Sequence, residues 1–263
     1  MKIRHFPFVA SIVFAVIIPF LPLILWSFST RYHYPALLPQ EFGIRGWMYV
    51  LDTARGQIAA GIYESFTLAL VTTLISLVFG LPAGRALGLY DFPGKKLASL
   101  LLMLPVIVPP LSVTMGLHLW FIRLELVETF AGVVLIHLTF CLPYTIFVFW
   151  GVFSDYDPDF EDQARSLGAS PSHVVFKIML PMVLPGVVVA ALFSFLLSWS
   201  QYLSTLIIGG GKMLTLPILL FSLMDSGDRP IAGAVCLIFI LPAFLALIAT
   251  TKSLGHQSLK GMH

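Results

Sequence analysis

A group of polar and aromatic side chains interrupts a long apolar stretch in the last third of the chain. The group combines hydroxyl, amide and ring side chains, namely Ser198, Trp199, Ser200, Gln201, Tyr202 and Ser204. Such side chains bind a small molecule through hydrogen bonds and ring contacts, and they also hold neighbouring helices together. The sequence leaves both roles open, so these six residues are candidates either for lining a passage or for helix packing.

Two histidines, His118 and His137, also lie in apolar surroundings. An ionisable side chain in such a place is by default a functional hypothesis, here a position on the same passage. The alternative is a neutral ring bonded to the backbone of a neighbouring helix. The two histidines fall on different apolar segments and no carboxylate accompanies them, so the sequence predicts no catalytic site.

The chain also lacks the patterns of common metal and nucleotide sites. Cys141 and Cys236 lie in separate apolar stretches without metal-ligand spacing, which argues against a metal site and against a disulfide. The pattern G-x-x-x-x-G-K-[ST] is missing, and residues 209–211, three glycines before Lys212, do not have its spacing. We therefore expect no metal, no cofactor and no ATPase site in this chain.

Composition places the chain in a membrane. With 58% hydrophobic and 11% charged residues, it has too little polar surface to coat a soluble globule. A helix needs about 20 apolar residues to cross the hydrocarbon core. Six runs meet this requirement, at 6–28, 62–89, 97–121, 131–153, 180–208 and 230–251. The predicted fold is all-α, a polytopic membrane protein with six transmembrane helices.

Small residues recur at helical spacing in the second predicted span. Gly80, Gly84 and Gly88 form two overlapping G-x-x-x-G patterns. Glycines at this period let two helix backbones approach closely. The pattern predicts a helix-packing face.

Lysines and arginines predict the orientation of the spans. If both termini are cytoplasmic, nine of the 15 Lys and Arg residues lie on the inside. This arrangement also places the segment between the fourth and fifth spans in the cytoplasm. The basic sequence pI of about 8.6 then reflects topology, so it implies no nucleic-acid partner.

That segment predicts two short helices joined by a glycine. Asp157 and Pro158 form a helix start, and Gly168 suits a left-handed C-terminal cap about three turns later. Ser170 and Pro171 repeat the start signal. Taken alone, such an amphipathic helix is typical of the membrane interface, but the acidic loop around it favours a protein partner over an anionic lipid surface.

The same segment carries a resemblance to a known family. Residues 161–170, EDQARSLGAS, followed by IMLP at 178–181, resemble the EAA loop of permease subunits in binding-protein-dependent ABC importers. Asp162 stands where the family has glutamate, and Gln163 stands where it has its first alanine. The resemblance covers about residues 60 to 250, and it is closest to the small permeases of polyamine, sulfate, iron and thiamine importers.

The resemblance implies that the loop helix is a coupling helix between spans 4 and 5, seated in a cytoplasmic ATP-binding subunit. Its implied coupling residues are Phe160, Glu161, Asp162, Ala164, Arg165, Leu167 and Gly168. Phe160, Ala164, Leu167 and Gly168 would pack into that subunit, whereas Glu161 and Arg165 would make contacts at the rim.

It further implies an ATP-binding subunit dimer, a second homologous permease, an extracytoplasmic solute-binding protein and a small-molecule solute as partners. The location is the bacterial inner membrane. The implied organisation is a transmembrane anchor at 1–30, an external loop at 31–61, the importer core at 62–251 and a cytoplasmic tail at 252–263.

Other classes and several solutes stay open at this stage. An ion-coupled secondary transporter or a channel is one alternative, although no carboxylate lies deep in a predicted span. An integral membrane enzyme is another. A polyamine, a thiamine-like cation held by Trp199 or Tyr202, an oxyanion and a metal complex all remain as candidate solutes.

Overall fold

The computed structural model describes residues 14–15, 17–33, 36 and 38–260. It is helical apart from one two-stranded antiparallel sheet. Contacts divide the described chain into two compact units. The first unit comprises the described residues up to Ile62 together with Leu216–Phe244. The second unit comprises Tyr63–Thr215 together with the residues that follow Phe244.

The first unit is built from short elements. They are α1 (Phe20–Ser27), β1 (Ser29–Arg31), β2 (Glu41–Phe42), α2 (Arg45–Met48), a π-helical segment (Tyr49–Thr53), α11 (Leu216–Asp225) and the start of α12 (Arg229–Lys260). Arg229 at the start of α12 lies over two rings that flank β1: its guanidinium is 5.1 Å from the Trp26 ring centroid and 5.4 Å from that of Tyr32. Arg45 forms an ion pair with Asp228.

The second unit contains most of the long helices. They are α3 (Arg55–Leu89), α4 (Lys95–Ile107), α5 (Pro110–Arg123), α6 (Phe130–Ser154), α7 (Asp159–Ser166), α8 (Pro171–His173), a π-helical segment (Val174–Met179), α9 (Leu180–Trp199) and α10 (Leu203–Gly209). Phe149 and Phe153 of α6 are fully buried in a cluster with Met179 and Val183. This cluster joins the ends of α3, α6 and α9 that flank the loop helix α7.

Three straight helices in the described part of the chain are long and apolar enough to cross a membrane: Arg55–Leu89, Phe130–Ser154 and Pro171–Trp199. A bent pair, Lys95–Ile107 with Pro110–Arg123, raises the number to four if it forms one span. The predicted spans at 62–89 and 131–153 are therefore confirmed as continuous apolar helices. Residues 6–13 of the first predicted span lie outside the described residues.

Helix breaks interrupt the apolar runs at 97–121 and 180–208. The first run bends by 104° between α4 and α5. Val108 and Pro109 are extended there because a residue that precedes proline disfavours the helical conformation, and Pro109 and Pro110 impose this restriction twice. The second run ends at Trp199 and resumes at Leu203. The last predicted span, 230–251, lies within the helix Arg229–Lys260, whose stretch Arg229–Leu245 is apolar.

The glycine face of α3 packs against α6, as the sequence predicts. A Cβ atom built on Gly80 would lie 2.6 Å from Thr145 Cγ2, one on Gly84 would lie 2.3 Å from Phe149 Cβ, and one on Gly88 would lie 2.6 Å from Phe153 Cβ. Real Cβ atoms do not come this close, so only glycine allows the two backbones to approach. The three contacts fix α3 against α6 from Thr145 to Phe153.

Replacing Gly84 by alanine tests this packing. We expect Gly84→Ala to destabilise the protein by about 1–3 kcal/mol, because the added methyl group must push α3 away from α6. Thermal unfolding in detergent measures the effect. Gly56→Ala is the matched control on the same helix, since nothing lies within 4 Å of its Cβ position. Equal unfolding temperatures for the two variants would contradict the close packing.

Candidate functional site

A cavity of about 270 Å³ lies in the second unit where two helix breaks meet. One wall comes from the break between α4 and α5, and the other from the break between α9 and α10. The lining residues are Pro105, Val106, Pro110, Thr114, Phe140, Tyr144, Leu197, Ser200, Gln201, Tyr202, Leu203 and Ser204. Among the described residues, no charged side chain is part of this lining, so the cavity offers hydrogen bonds and apolar contacts.

Four of the predicted passage residues line the cavity, namely Ser200, Gln201, Tyr202 and Ser204. Gln201 accepts a hydrogen bond from Ser204 through its side-chain oxygen. Its Nε2 atom is buried and finds no partner in the part of the chain that the structure describes. An unsatisfied donor in a cavity wall provides a binding group for an acceptor on a bound molecule.

The other predicted passage residues lie elsewhere. Trp199 is buried and stacks on Phe195 with ring centroids 5.9 Å apart, so it does not form part of the cavity wall. Ser198 is buried beside His137. His118 lies half-buried on α5 and is not among the lining residues.

His137 braces the break between α9 and α10. Its ring is fully buried, with Nδ1 2.8 Å from Ser198 Oγ and Nε2 2.9 Å from Thr205 Oγ1. The Thr205 hydroxyl donates to the Gln201 carbonyl, so it accepts from Nε2–H, and Nδ1 of the neutral ring then accepts from Ser198. His137 bonds to hydroxyl groups on the two sides of the break. The alternative considered from the sequence was a bond to the backbone of a neighbouring helix. His137 holds the cavity wall in shape.

Tyr144 and Thr114 were missed as lining residues. They lie on α6 and α5, far in sequence from the polar cluster, and a single hydroxyl in an apolar helix carries no distinguishing signal. Only the helix packing brings them to the cavity.

The loop helix α7 has the start and end that its sequence predicts. Asp157 accepts a hydrogen bond from the backbone N–H of Asp159 at 3.0 Å, and Gly168 adopts a left-handed φ of +87°. Ser170 caps the next helix by accepting from the N–H of His173. With eight residues, α7 makes about two turns and is shorter than the three turns expected.

One side of α7 is open to solvent and carries apolar side chains. Leu167 is 89% exposed and Phe160 is 49% exposed. Ala164 is half-buried, and Asp162 pairs with Arg165 at 2.7 Å on the surface. A surface concavity lies beside them, lined by Asp159, Asp162, Gln163, Ser166 and Leu167.

Glu161 does not lie at the rim, where the resemblance placed it. Only 1% of its surface is exposed, because the side chain turns away from solvent toward α3. Its Oε2 accepts from Arg85 at 2.8 Å and from Arg165 at 2.9 Å, and its Oε1 accepts from the Tyr156 hydroxyl at 2.9 Å. Of the expected rim pair, Arg165 alone is exposed, and Glu161 is an internal contact.

Burial and charge act in opposite directions on this carboxyl group. Burial alone would raise the pKa of Glu161, but hydrogen bonds from Arg85 and Tyr156, with the charges of Arg85 and Arg165, hold that pKa below its ordinary value. Burial and the adjacent carboxylate raise the pKa of Tyr156 to about 12. Glu161 is therefore ionised and Tyr156 is a hydrogen-bond donor at neutral pH.

Arg85 was missed as a site residue. It lies near the inner end of a predicted span, and an ionisable residue in that position should prompt a search for its partner. The sequence contains several carboxylates in the loop, so the choice of Glu161 depends on the fold.

Comparison with known proteins identifies the family. Residues 76–254 match the family described as "binding-protein-dependent transport system inner membrane component". The chain belongs to this family. It is a permease subunit of a binding-protein-dependent ABC importer, a multi-pass inner-membrane protein and a transport component.

Relatives of this permease serve different transport systems. It is 31% identical over 201 residues to the spermidine/putrescine transport system permease protein PotC of Haemophilus influenzae, covering 76% of this chain and 77% of that protein. It is 30% identical over 237 residues to the arabinooligosaccharides transport system permease protein AraQ of Halalkalibacterium halodurans, covering 86% and 84%.

The fold is similar to that of a solved importer. A chain in the crystal structure of a bacterial ABC transporter involved in the import of the acidic polysaccharide alginate matches with a TM-score of 0.68. The match has 17% sequence identity and covers 95% of the permease and 96% of that chain. At this identity the likeness concerns the fold.

The buried carboxylate predicts how the loop responds to acid. The pKa of Glu161 is lowered in the folded state, so its stabilisation of the loop is complete above the ordinary value of 4.5 and is lost as pH falls through the lowered value. We expect amide-exchange protection of residues 156–168, corrected for intrinsic rates, to stay constant down to about pH 5 and to fall below it. In Glu161→Gln this carboxylate step should be missing. A wild-type step above pH 5 would contradict the lowered pKa.

Proposed function

We propose that this permease has six transmembrane spans and forms half of the translocation path, and that α7 couples it to a cytoplasmic ATP-binding subunit dimer. Solute is delivered on the outer face by a solute-binding protein. A second, homologous permease completes the path. Both termini of the permease lie in the cytoplasm, in agreement with nine of the 15 Lys and Arg residues on that side.

The single observation that carries the coupling role is the exposed apolar side of α7. Leu167 is 89% exposed and precedes the left-handed Gly168. Covering this apolar side chain with a partner surface is favourable, whereas contact with water is not. The acids of the concavity, Asp159 and Asp162, favour a partner surface that carries basic groups. Coupling then requires each state of the ATPase to bind α7 with a different free energy.

The cavity at the two helix breaks supports a place on the solute path. Breaks in membrane helices are tolerated where the freed backbone groups line a cavity or lie within protein. Gln201 and three hydroxyl-bearing neighbours supply hydrogen bonds there, and Phe140 and Pro105 supply apolar surface. Because the described lining has no charge, the charge of an ionic solute would have to be met by the partner permease or by another part of the path.

Gly168→Asp tests the coupling role. A non-glycine residue in the left-handed region costs about 1–2 kcal/mol, so the variant should distort the end of α7 and weaken the docked state. We expect pulldown of the tagged wild-type permease to recover an ATPase, and Gly168→Asp to lose it or to hydrolyse ATP without response to the binding protein.

Gly94→Asp is the matched control, since Gly94 has a φ of +91° and open space around its Cβ position, as Gly168 does. Gly94→Asp should behave as wild type. A wild-type pulldown without any ATPase would overturn the proposed coupling.

Cysteine labelling tests the solute path without knowledge of the solute. We expect Ser200→Cys, on the cavity wall, to react several-fold faster with a small hydrophilic thiol reagent than Ser198→Cys, which is buried beside His137. Cys141 and Cys236 are replaced by alanine in both variants. Labelling is measured in the assembled importer with and without ATP and vanadate. Equal rates at positions 198 and 200 in every state would remove the cavity from the path.

A further inference from the structure

Glu161 joins the loop helix to a helix that is distant in sequence. Its partner Arg85 lies 76 residues earlier, near the inner end of α3. We propose that Arg85 is a positioning residue for the coupling loop, and that the Arg85–Glu161 contact makes α7, α3 and α6 move as one body. This inference rests on the proposed docking of an ATPase on α7.

The Arg85 guanidinium contacts two neighbouring segments at the same time. One nitrogen of the Arg85 guanidinium donates to Glu161 Oε2 at 2.8 Å, and the other lies 2.6 Å from Met179 Sδ. The same carboxylate accepts from Tyr156, which follows α6, and from Arg165 within α7. A single buried carboxylate therefore holds the end of α6, the loop helix and α3 together.

The guanidinium is itself held in place. It lies 5.8 Å from the ring centroid of Phe153, a fully buried residue of α6. Its neighbour Gly84 packs directly on Phe149, so α3 cannot slide along α6 at this point without a steric clash. The link thus runs from the loop helix into the close glycine contact between α3 and α6.

Covalent continuity of the chain does not by itself make α3 move together with α7. The loop is covalently continuous with α6 and, through the π-helical segment, with α9, so displacement of α7 acts on those two helices directly. Arg85 adds a direct hydrogen bond from α3 to α7 itself. A buried ion pair adds little net stability over well-packed apolar side chains, but removal of one partner leaves an uncompensated charge. The role that the geometry supports is orientation of α7 relative to α3.

A cysteine pair tests whether the two helices move together. Arg85→Cys/Glu161→Cys is made in a chain with Cys141→Ala and Cys236→Ala, and the importer is assembled in nanodiscs. The readout is the ratio of ATP hydrolysis with the solute-binding protein to that without it. In the reduced pair we expect wild-type amounts of bound ATPase and a ratio near 1, because docking persists while coupling is lost.

Cross-linking the pair with a short bifunctional maleimide should restore the ratio to at least about half of the wild-type value, since the covalent link replaces the ion pair. A merely structural role would not give this rescue. Lys96→Cys/Asp155→Cys is the control, because both side chains are exposed on the same predicted face. It should keep the wild-type ratio before cross-linking.

The outcomes separate the two levels of inference. A wild-type complex without ATPase overturns the coupling proposal itself. If wild type is coupled and the reduced cysteine pair keeps its ratio, Arg85 has no positioning role. A ratio that stays near 1 after cross-linking would show that fixing α7 to α3 does not restore coupling, which also overturns the inference.

Arg85→Lys gives a second test if the cysteine pair does not assemble. Lysine keeps a charge for Glu161 but cannot bridge to Met179 with a second nitrogen. For this variant we expect the ratio of ATP hydrolysis with the solute-binding protein to that without it to lie between 1 and the wild-type value. A ratio equal to that of the wild type would overturn the inference.

Discussion

The close approach of α3 and α6 is the constraint on which the second unit depends. Three glycines at a spacing of four residues remove the side chains that would separate the two backbones. The approach brings Arg85 over Phe153 and within reach of the loop beyond α6. A larger residue at Gly84 would therefore disturb both the packing and the ion pair that orients the loop helix.

Several buried polar side chains lie at the break between α9 and α10, where they bond to one another. His137 uses both ring nitrogens to connect hydroxyl groups on the two sides of the break at residues 200–202. At the other break, Pro109 and Pro110 remove backbone donors that would otherwise need partners. In the cavity between the breaks, Gln201 Nε2 finds no hydrogen-bond partner among the described residues.

The loop helix and the residue that caps it, Leu167, combine an exposed side and an anchored side. Leu167 and Phe160 face outward, whereas the neighbouring Glu161 is almost completely buried. This division suits a connector, because the exposed side can exchange partners while the buried side keeps its contacts. Family membership supplies the transport role, and the contacts of Glu161 give a physical route from the loop into a helix that is not joined to it by sequence.

The sequence by itself determined the membrane class, two continuous spans, the glycine packing face, and the start and left-handed end of the loop helix. These features depend on local composition, helical spacing and backbone preferences of glycine and proline. Hydropathy does not locate the breaks inside two predicted spans, because apolar residues continue on both sides of each break. The tertiary structure alone decided that Glu161 faces inward, that Arg85 is its partner, and that Trp199 stacks in the core while Gln201 reaches the cavity. Each of these side-chain positions depends on which helix packs against the residue, and that packing joins segments that are far apart in the chain.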